Sequence, residues 1–131
     1  MLKRRKFNIT GDFLYHICLE QREETLEHLF FSCPFSISCW DHIGLDITYN
    51  GHLDRFQILS EAKLRWNKPL FMETFAIAAW NIWKERNNWC FNNIRPSLDA
   101  WTARFKTEFL LLVHRIREDK HSFINSFVNS L

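Results

Sequence analysis

Glycine and proline are scarce in this sequence, with three of each among 131 residues. Because hairpins and tight turns depend on these two residues, their scarcity argues against a sheet-rich fold and favours helices. Long apolar runs are also missing, since no unbroken run approaches the roughly 18 residues that a membrane span requires. We therefore expect an all-α protein that has no membrane partner.

The sequence also lacks a strong charge and a recognisable catalytic motif. Its formal net charge is only +2, too small to identify a nucleic-acid-binding protein by itself. No glycine-rich phosphate loop, G-x-S-x-G, H-E-x-x-H or polymerase-like aspartate pair is present. The histidines His42, His52, His114 and His121 have no partners at a readable spacing. These absences predict that the protein is not an enzyme.

Apolar and aromatic residues, in contrast, are abundant. They make up 47% and 16% of the chain, which argues against disorder and predicts a packed core in a single domain. The four cysteines are irregularly spaced, which suits a reduced intracellular compartment, nucleus or cytoplasm, better than a disulfide framework.

Three residues near the N-terminus have a spacing that suits a metal site. Cys18 and His28 form C-x9-H, and His28 and Cys33 form H-x4-C. Thiolates and imidazoles are the ligands that Zn²⁺ prefers, and a structural site normally has four of them. The first cysteine of a C-x2-C pair with Cys18 would stand at position 15, which is Tyr15. On spacing alone, a satisfied histidine and an inert buried thiol are the competing interpretation.

The same stretch resembles a known family, the zinc-binding domain that follows the reverse transcriptase in plant LINE-type (non-LTR) retrotransposons. That family has C-x2-C, then E-T-x-x-H-L-F-F-x-C, then a tryptophan, with L-x-x-R before it and often A-W-x-I-W-K-x-R-N…F after it. The matching residues here are Leu2 with Lys3-Arg4-Arg5, Cys18, Glu24-Thr25, His28-Leu29-Phe30-Phe31, Cys33-Pro34-Phe35-Ser36, Trp40, Ala79 to Asn87, and Phe91.

The resemblance implies a zinc site with Cys18, His28 and Cys33 as ligands and with the first cysteine missing. The fourth position is then filled by water, by His16 or by nothing, and His16 is the expected donor. With three ligands in place, zinc would be bound weakly or lost. The resemblance also implies a fragment or relic of such an element, with Met1 already well inside the domain.

A basic cluster, Lys3-Arg4-Arg5-Lys6, precedes this stretch. Four consecutive positive side chains can contact the phosphates of RNA or DNA or act as a nuclear import signal. The alternative is a solvated terminus without a partner.

Periodicity predicts a small bundle of about five to six helices. We expect them to begin at Glu23 to Thr25, at Pro34, near His52, at Phe71, after the N-cap Ser97, and in the tail around Phe123 to Leu131. Residues 1–43 would form a degenerate zinc-knuckle-like region, and residues 44–131 a helical region that packs with it as one domain.

Two of these helices carry long apolar patterns. The helix from Phe71 to about Phe91 has an apolar face of Met72, Phe75-Ala76, Ala79-Trp80, Trp83 and Asn87, closed by Cys90-Phe91, with Ile77, Ile82 and Trp89 elsewhere. We expect this face in the core and the helix at the centre of the bundle; stacking of its tryptophans on bases is the less favoured alternative. The next helix has a seam of Leu98, Trp101, Phe105, Phe109, Leu112 and Ile116, which would pack back on the tryptophan helix or dimerise.

Two functions remain open at this point. The favoured one is a non-catalytic, nucleic-acid-associated zinc-binding module. The other is a metal-free helical protein-protein interaction module, or a non-functional relic, in which a protein partner or a second copy binds through the C-terminal helices.

Overall fold

The computed structural model describes residues 30–31, 33–47 and 54–131. Within these ranges the chain forms five α-helices and no strand. The helices are α1 (Pro34–His42), α2 (Arg55–Arg65), α3 (Phe71–Asn92), α4 (Leu98–Leu110) and α5 (His121–Asn129), and the 3-10 turns Leu111–His114 and Glu118–Lys120 link the last two. The all-α prediction is confirmed, and the helix expected at Glu23 to Thr25 lies outside the described residues.

Local chemistry explains where these helices begin. Pro34 occupies the first turn of α1, where its missing N–H costs nothing. Asp54 and Gln57 form a reciprocal capping box at the start of α2. The Ser97 hydroxyl accepts the Ala100 N–H at 3.1 Å and so caps α4, as predicted.

Helix α4 lies at the centre of the bundle and contacts α1, α3 and α5. The rings of Trp101, Phe105 and Phe109 form a continuous stack with centroids 5.3 Å apart, and all three are fully buried. The seam predicted for this helix is therefore confirmed at Trp101, Phe105 and Phe109, and of its two expected partners it uses the intramolecular one, α3. The helix ends at Leu110, earlier than expected, so Leu112 lies in the following 3-10 turn and Ile116 beyond it. The prediction that the helix from Phe71 would be central was wrong, because α4 supplies the bulk of the core.

The C-terminal helix α5 closes the other side of α4. Phe127 packs against Phe105 and Phe109, with ring centroids 6.2 and 5.2 Å away, and edge-on against Trp66 at 5.9 Å. The partner of the amphipathic tail is thus α4 together with the end of α2.

Each of the three buried tryptophans also satisfies its indole N–H. Trp40 donates to the Phe30 carbonyl, Trp66 to the Pro69 carbonyl at 3.1 Å, and Trp101 to the Ala78 carbonyl at 3.2 Å. A buried indole without an acceptor would cost free energy, so these bonds fix the orientation of each ring.

Helix α3 presents a different face to the core from the one expected. Its buried residues are Phe71, Thr74, Ala78, Asn81, Ile82 and Glu85. Trp80 is 53% exposed and Met72 is 54% exposed, so the prediction that this face lies in the core was wrong for these two residues. Phe75, Ala79 and Trp83 are partly buried and pack against the core, and the Phe75 ring stacks on Trp40 at 5.3 Å.

The domain boundary predicted at residue 43 remains a prediction. Cys39, Trp40 and Ile43 belong to the same apolar cluster as the buried residues of α3, α4 and α5. Among the described helices, none is long and apolar enough to cross a membrane.

Candidate functional site

One of the four predicted zinc ligands, Cys33, lies within the described residues. Cys18, His28 and His16 lie outside them, as do Tyr15 and the basic cluster Lys3-Arg4-Arg5-Lys6. In the ranges that the structure covers, no group of three or more His, Cys, Asp or Glu side chains is close enough to hold a metal. The structure therefore places one corner of the predicted site.

Cys33 occupies the N-cap position of α1, immediately before Pro34, and is 2% exposed. The partial positive charge of a helix N-terminus stabilises negative charge on a group at this position.

Cys39 lies six residues further along, inside the same helix, and is fully buried. Burial raises the pKa of the Cys39 thiol far above its usual range, with smaller contributions from the negative charges of Glu85 and Cys33. A thiol that stays protonated is a poor metal ligand, so Cys39 is a core residue. No disulfide joins any two of Cys33, Cys39 and Cys90, the cysteines that the structure describes.

The described residues that carry the family resemblance form a compact corner. Phe31, Ser36 and Trp40 are 4%, 1% and 1% exposed. The Trp40 indole donates to the Phe30 carbonyl, which ties the chain just after His28 to α1. The tryptophan of the pattern thus anchors the segment from which the ligands Cys33 and His28 are expected to project.

A second polar site, which the sequence did not predict, lies between α3 and α4. The Glu85 carboxylate is 2% exposed, accepts the Ser97 N–H at 3.1 Å and pairs with Arg104 at 3.2 Å. Lys84 pairs with Glu108 at 2.7 Å, and the Asn81 amide donates to the same carboxylate at 3.3 Å. Both acids are therefore held by cations, which is the arrangement of a structural network.

This network lines an open groove of about 530 Å³. The groove is formed by Lys84, Asn87, Asn88, Arg104, Thr107 and Glu108. With its oxygen toward Arg104, the Asn88 amide accepts from the two terminal guanidinium nitrogens at 2.9 and 3.2 Å. The i, i+3 and i+4 spacing of polar residues in α3 is the one signal in the sequence that points to this site.

Cations lie over three of the tryptophans that are not fully buried. Lys84 lies 5.4 Å from the centroid of Trp80, and Arg86 lies 4.6 Å from that of Trp83. Near the end of α3, Arg95 lies 5.2 Å from Trp89. This mixture of aromatic and basic side chains belongs to the A-W-x-I-W-K-x-R-N segment and the turn that follows α3.

Searches with the chain against protein-family models, curated protein sequences and solved structures find no match.

Proposed function

We propose that this protein is a non-catalytic, nucleic-acid-associated zinc-binding module, derived from the region that follows a retrotransposon reverse transcriptase. The observation that carries the proposal is the position of Cys33, a buried N-cap cysteine at a helix start that is anchored by Trp40. The resemblance supports Cys18, His28 and His16 as the remaining donors. Zinc at this site would stabilise the N-terminal third and have no role in catalysis.

Zinc content tests the proposal directly. Protein purified without added zinc is expected to contain substoichiometric metal that chelators remove easily, because three strong ligands bind zinc less tightly than four. Replacing Tyr15 with Cys restores the C-x2-C pair and should tighten zinc binding by at least about tenfold. It should also raise the thermal midpoint only when zinc is present.

The matched control for this variant is Cys90→Ser, which removes a thiol far along the chain from the expected ligands. Its zinc affinity should equal that of the parent, measured by competition with a chromophoric chelator. Equal affinity in Tyr15→Cys and the parent would mean that these residues do not form the inherited site.

We assign nucleic-acid contact to Lys3, Arg4, Arg5 and Lys6, and we expect the protein inside the cell, in the nucleus or the cytoplasm. Neutralising at most four phosphates gives weak binding with a slope of log K against log salt of about −3 to −4. Replacing all four with Ala should abolish binding to a single-stranded or duplex probe. A control variant that removes the same charge from four other exposed positions should keep most of the nucleic-acid binding. These positions are Lys63, Lys68, Arg115 and Arg117. Equal losses in the two variants would remove the basic cluster from the proposal.

A second candidate function, a helical interaction module, is favoured by one specific observation. Met72, Trp80 and Phe91 are 54%, 53% and 68% exposed on the outer side of α3. Clustered exposed apolar residues of this size mark interaction surfaces on soluble proteins.

A further inference from the structure

The outer side of α3 carries a stripe of six residues, of which four are exposed to solvent and two are half-buried in the protomer. We call it the outer stripe, and it consists of Met72, Ala76, Trp80, Trp83, Asn87 and Phe91. At 100° per residue these six positions fall within an arc of about 100°. Ala76 is exposed, and Trp83 and Asn87 are half-buried. The stripe is therefore shaped like the contact face of a paired helix.

The spacing of the outer stripe is the same when it is read from either end. Successive members are four, four, three, four and four residues apart. Two copies of α3 laid antiparallel would place Met72 opposite Phe91, Ala76 opposite Asn87 and Trp80 opposite Trp83 in each direction. A self-complementary patch of this kind is the requirement for a two-fold symmetric interface.

We propose that the protein associates with a second copy of itself through an antiparallel pairing of the two α3 helices along the outer stripe. The inference names the partner for the interaction function and does not depend on zinc binding. Large rings meet at the centre, where tryptophan pairs can pack edge to face. The small Ala76 on either side of them leaves room for the rings.

The exposed area is appropriate for a reversible dimer. A buried side chain of this size covers about 150 to 250 Å², so Met72, Trp80 and Phe91, which are 54%, 53% and 68% exposed, offer on the order of 100 to 150 Å² apiece. Two copies together offer roughly 600 to 900 Å² from these six side chains, and the flanking residues add to this. Stable complexes bury about 1,200 to 2,000 Å² in total, so we expect a weak, concentration-dependent dimer.

The charges of α3 permit this pairing and disfavour a polyanion on the same face. In the antiparallel register Glu73 lies opposite Cys90, Lys84 opposite Ala79, and Arg86 opposite Ile77. No two like charges face each other. Lys84 and Arg86 lie over the Trp80 and Trp83 rings at 5.4 and 4.6 Å and flank the stripe, whose own members are uncharged. Lys84 is already paired with Glu108 at 2.7 Å. These features favour an apolar partner over a nucleic acid.

Sedimentation velocity of the full chain tests the proposal. Between about 1 and 200 μM, the parent is expected to shift from a 15.9 kDa monomer toward a species of twice that mass. Ala76→Glu should remain monomeric over the whole range, since it places a charge beside the central rings of the contact. Because Ala76 is exposed in the protomer, its far-UV circular dichroism and thermal midpoint at low concentration should match the parent. Ala103→Glu, an exposed alanine on α4, is the matched control and should dimerise as the parent does.

Disulfide trapping tests the orientation. Residues 76 and 87 lie about 16 Å apart along one helix, too far for an intramolecular disulfide. Ala76→Cys with Asn87→Cys should therefore give a covalent dimer on mild oxidation, whereas Ala76→Cys alone should give no more than the parent. Efficient trapping by Ala76→Cys alone would mean a parallel arrangement and overturn the antiparallel register.

Two further outcomes overturn self-association itself. One is a parent that stays monomeric at every concentration. The other is a monomer whose tryptophan fluorescence is quenched by a single-stranded oligonucleotide in a Trp80-dependent way, which would assign the stripe to nucleic acid. Zinc content and the binding contributed by Lys3-Arg4-Arg5-Lys6 are measured separately, so failure of the dimer leaves the zinc proposal standing.

Discussion

Glu85 is the residue whose replacement tests the described architecture most directly. Its side chain is 2% exposed and joins α3 to α4 at two points, the Ser97 N-cap and Arg104. Glu85→Gln keeps the shape and an oxygen that can still accept the Ser97 N–H, and it loses only the ion pair. Because the Arg104 side chain is 38% exposed, solvent screens that pair, and the expected loss of unfolding free energy is about 1 kcal/mol.

Glu85→Ala should cost more. It removes the ion pair, leaves the Ser97 N–H without its acceptor and creates a small cavity. An unsatisfied buried donor costs about 1 to 3 kcal/mol, so the total should reach about 3 kcal/mol. The same exchange at Glu118, which is exposed, should change the unfolding free energy by less than about 0.5 kcal/mol.

The assay is urea unfolding monitored by tryptophan fluorescence and circular dichroism. The dependence of the unfolding free energy on urea concentration should be the same for the parent and each variant, which shows that they unfold by the same transition. A double-mutant cycle of Glu85→Gln with Arg104→Gln should give a coupling energy of about 1 kcal/mol. A coupling near zero, or an Ala variant no less stable than the Gln variant, would refute the assignment of Glu85 as the junction between α3 and α4.

Two further predictions concern single groups. Asn93 ends α3 with a φ of 56°, in the left-handed region, so Asn93→Ala should lower the unfolding free energy by about 1 kcal/mol and Asn93→Gly should be at least as stable as the parent. Asn92 is exposed and helical, so Asn92→Ala should have little effect. An Asn93→Ala variant as stable as Asn93→Gly would contradict this reasoning. Burial raises the pKa of the Cys39 thiol in the folded state above its ordinary value of 9.0. Above pH 9 the thiol therefore releases its proton in the unfolded chain and keeps it in the folded one. The stabilisation that the buried thiol gives is complete below that pH and is lost as the pH rises. The parent should lose about 1.4 kcal/mol more per pH unit above pH 9 than Cys39→Ala does, and parallel pH profiles of unfolding free energy would contradict the assigned burial.

Much of the helical architecture was predictable because its signals are local. Pro34 and Ser97 mark helix starts through their backbone and side-chain chemistry, and Phe71 to Phe91 has the periodicity of one long helix. The prediction that Trp101, Phe105 and Phe109 form a buried seam was correct for a related reason. A helix whose large apolar residues lie on one face, with few apolar residues on the others, can bury only that face.

The orientation of α3 and the polar network were not predictable from such signals. Asn81 and Glu85 read as solvent-facing residues, since charged and amide side chains are rarely fully buried without partners. Their partners, Glu108, Arg104 and the Ser97 N–H, come from a different helix whose register against α3 only the tertiary fold determines. The candidate metal site was predictable to the extent that Cys33, Pro34 and Trp40 form one buried corner; the other ligands stay predictions.

Helix α3 turns a different face to the core from the one predicted because α4 fills the interface with large side chains. Trp101, Phe105 and Phe109 fill the space between the helices, and the Trp101 indole reaches the Ala78 carbonyl at 3.2 Å. That approach is possible because position 78 is an alanine with no exposed surface. Rotating α3 to bury Trp80 and Trp83 would bring two indoles against three large rings, and overpacking of this kind costs more than it gains. Since one helix supplies the large residues, its neighbour supplies small ones such as Ala78 or polar ones such as Glu85, which is held by Ser97 and Arg104. Met72, Trp80 and Phe91 are consequently left exposed on the outer side of α3, available to a partner outside the protomer.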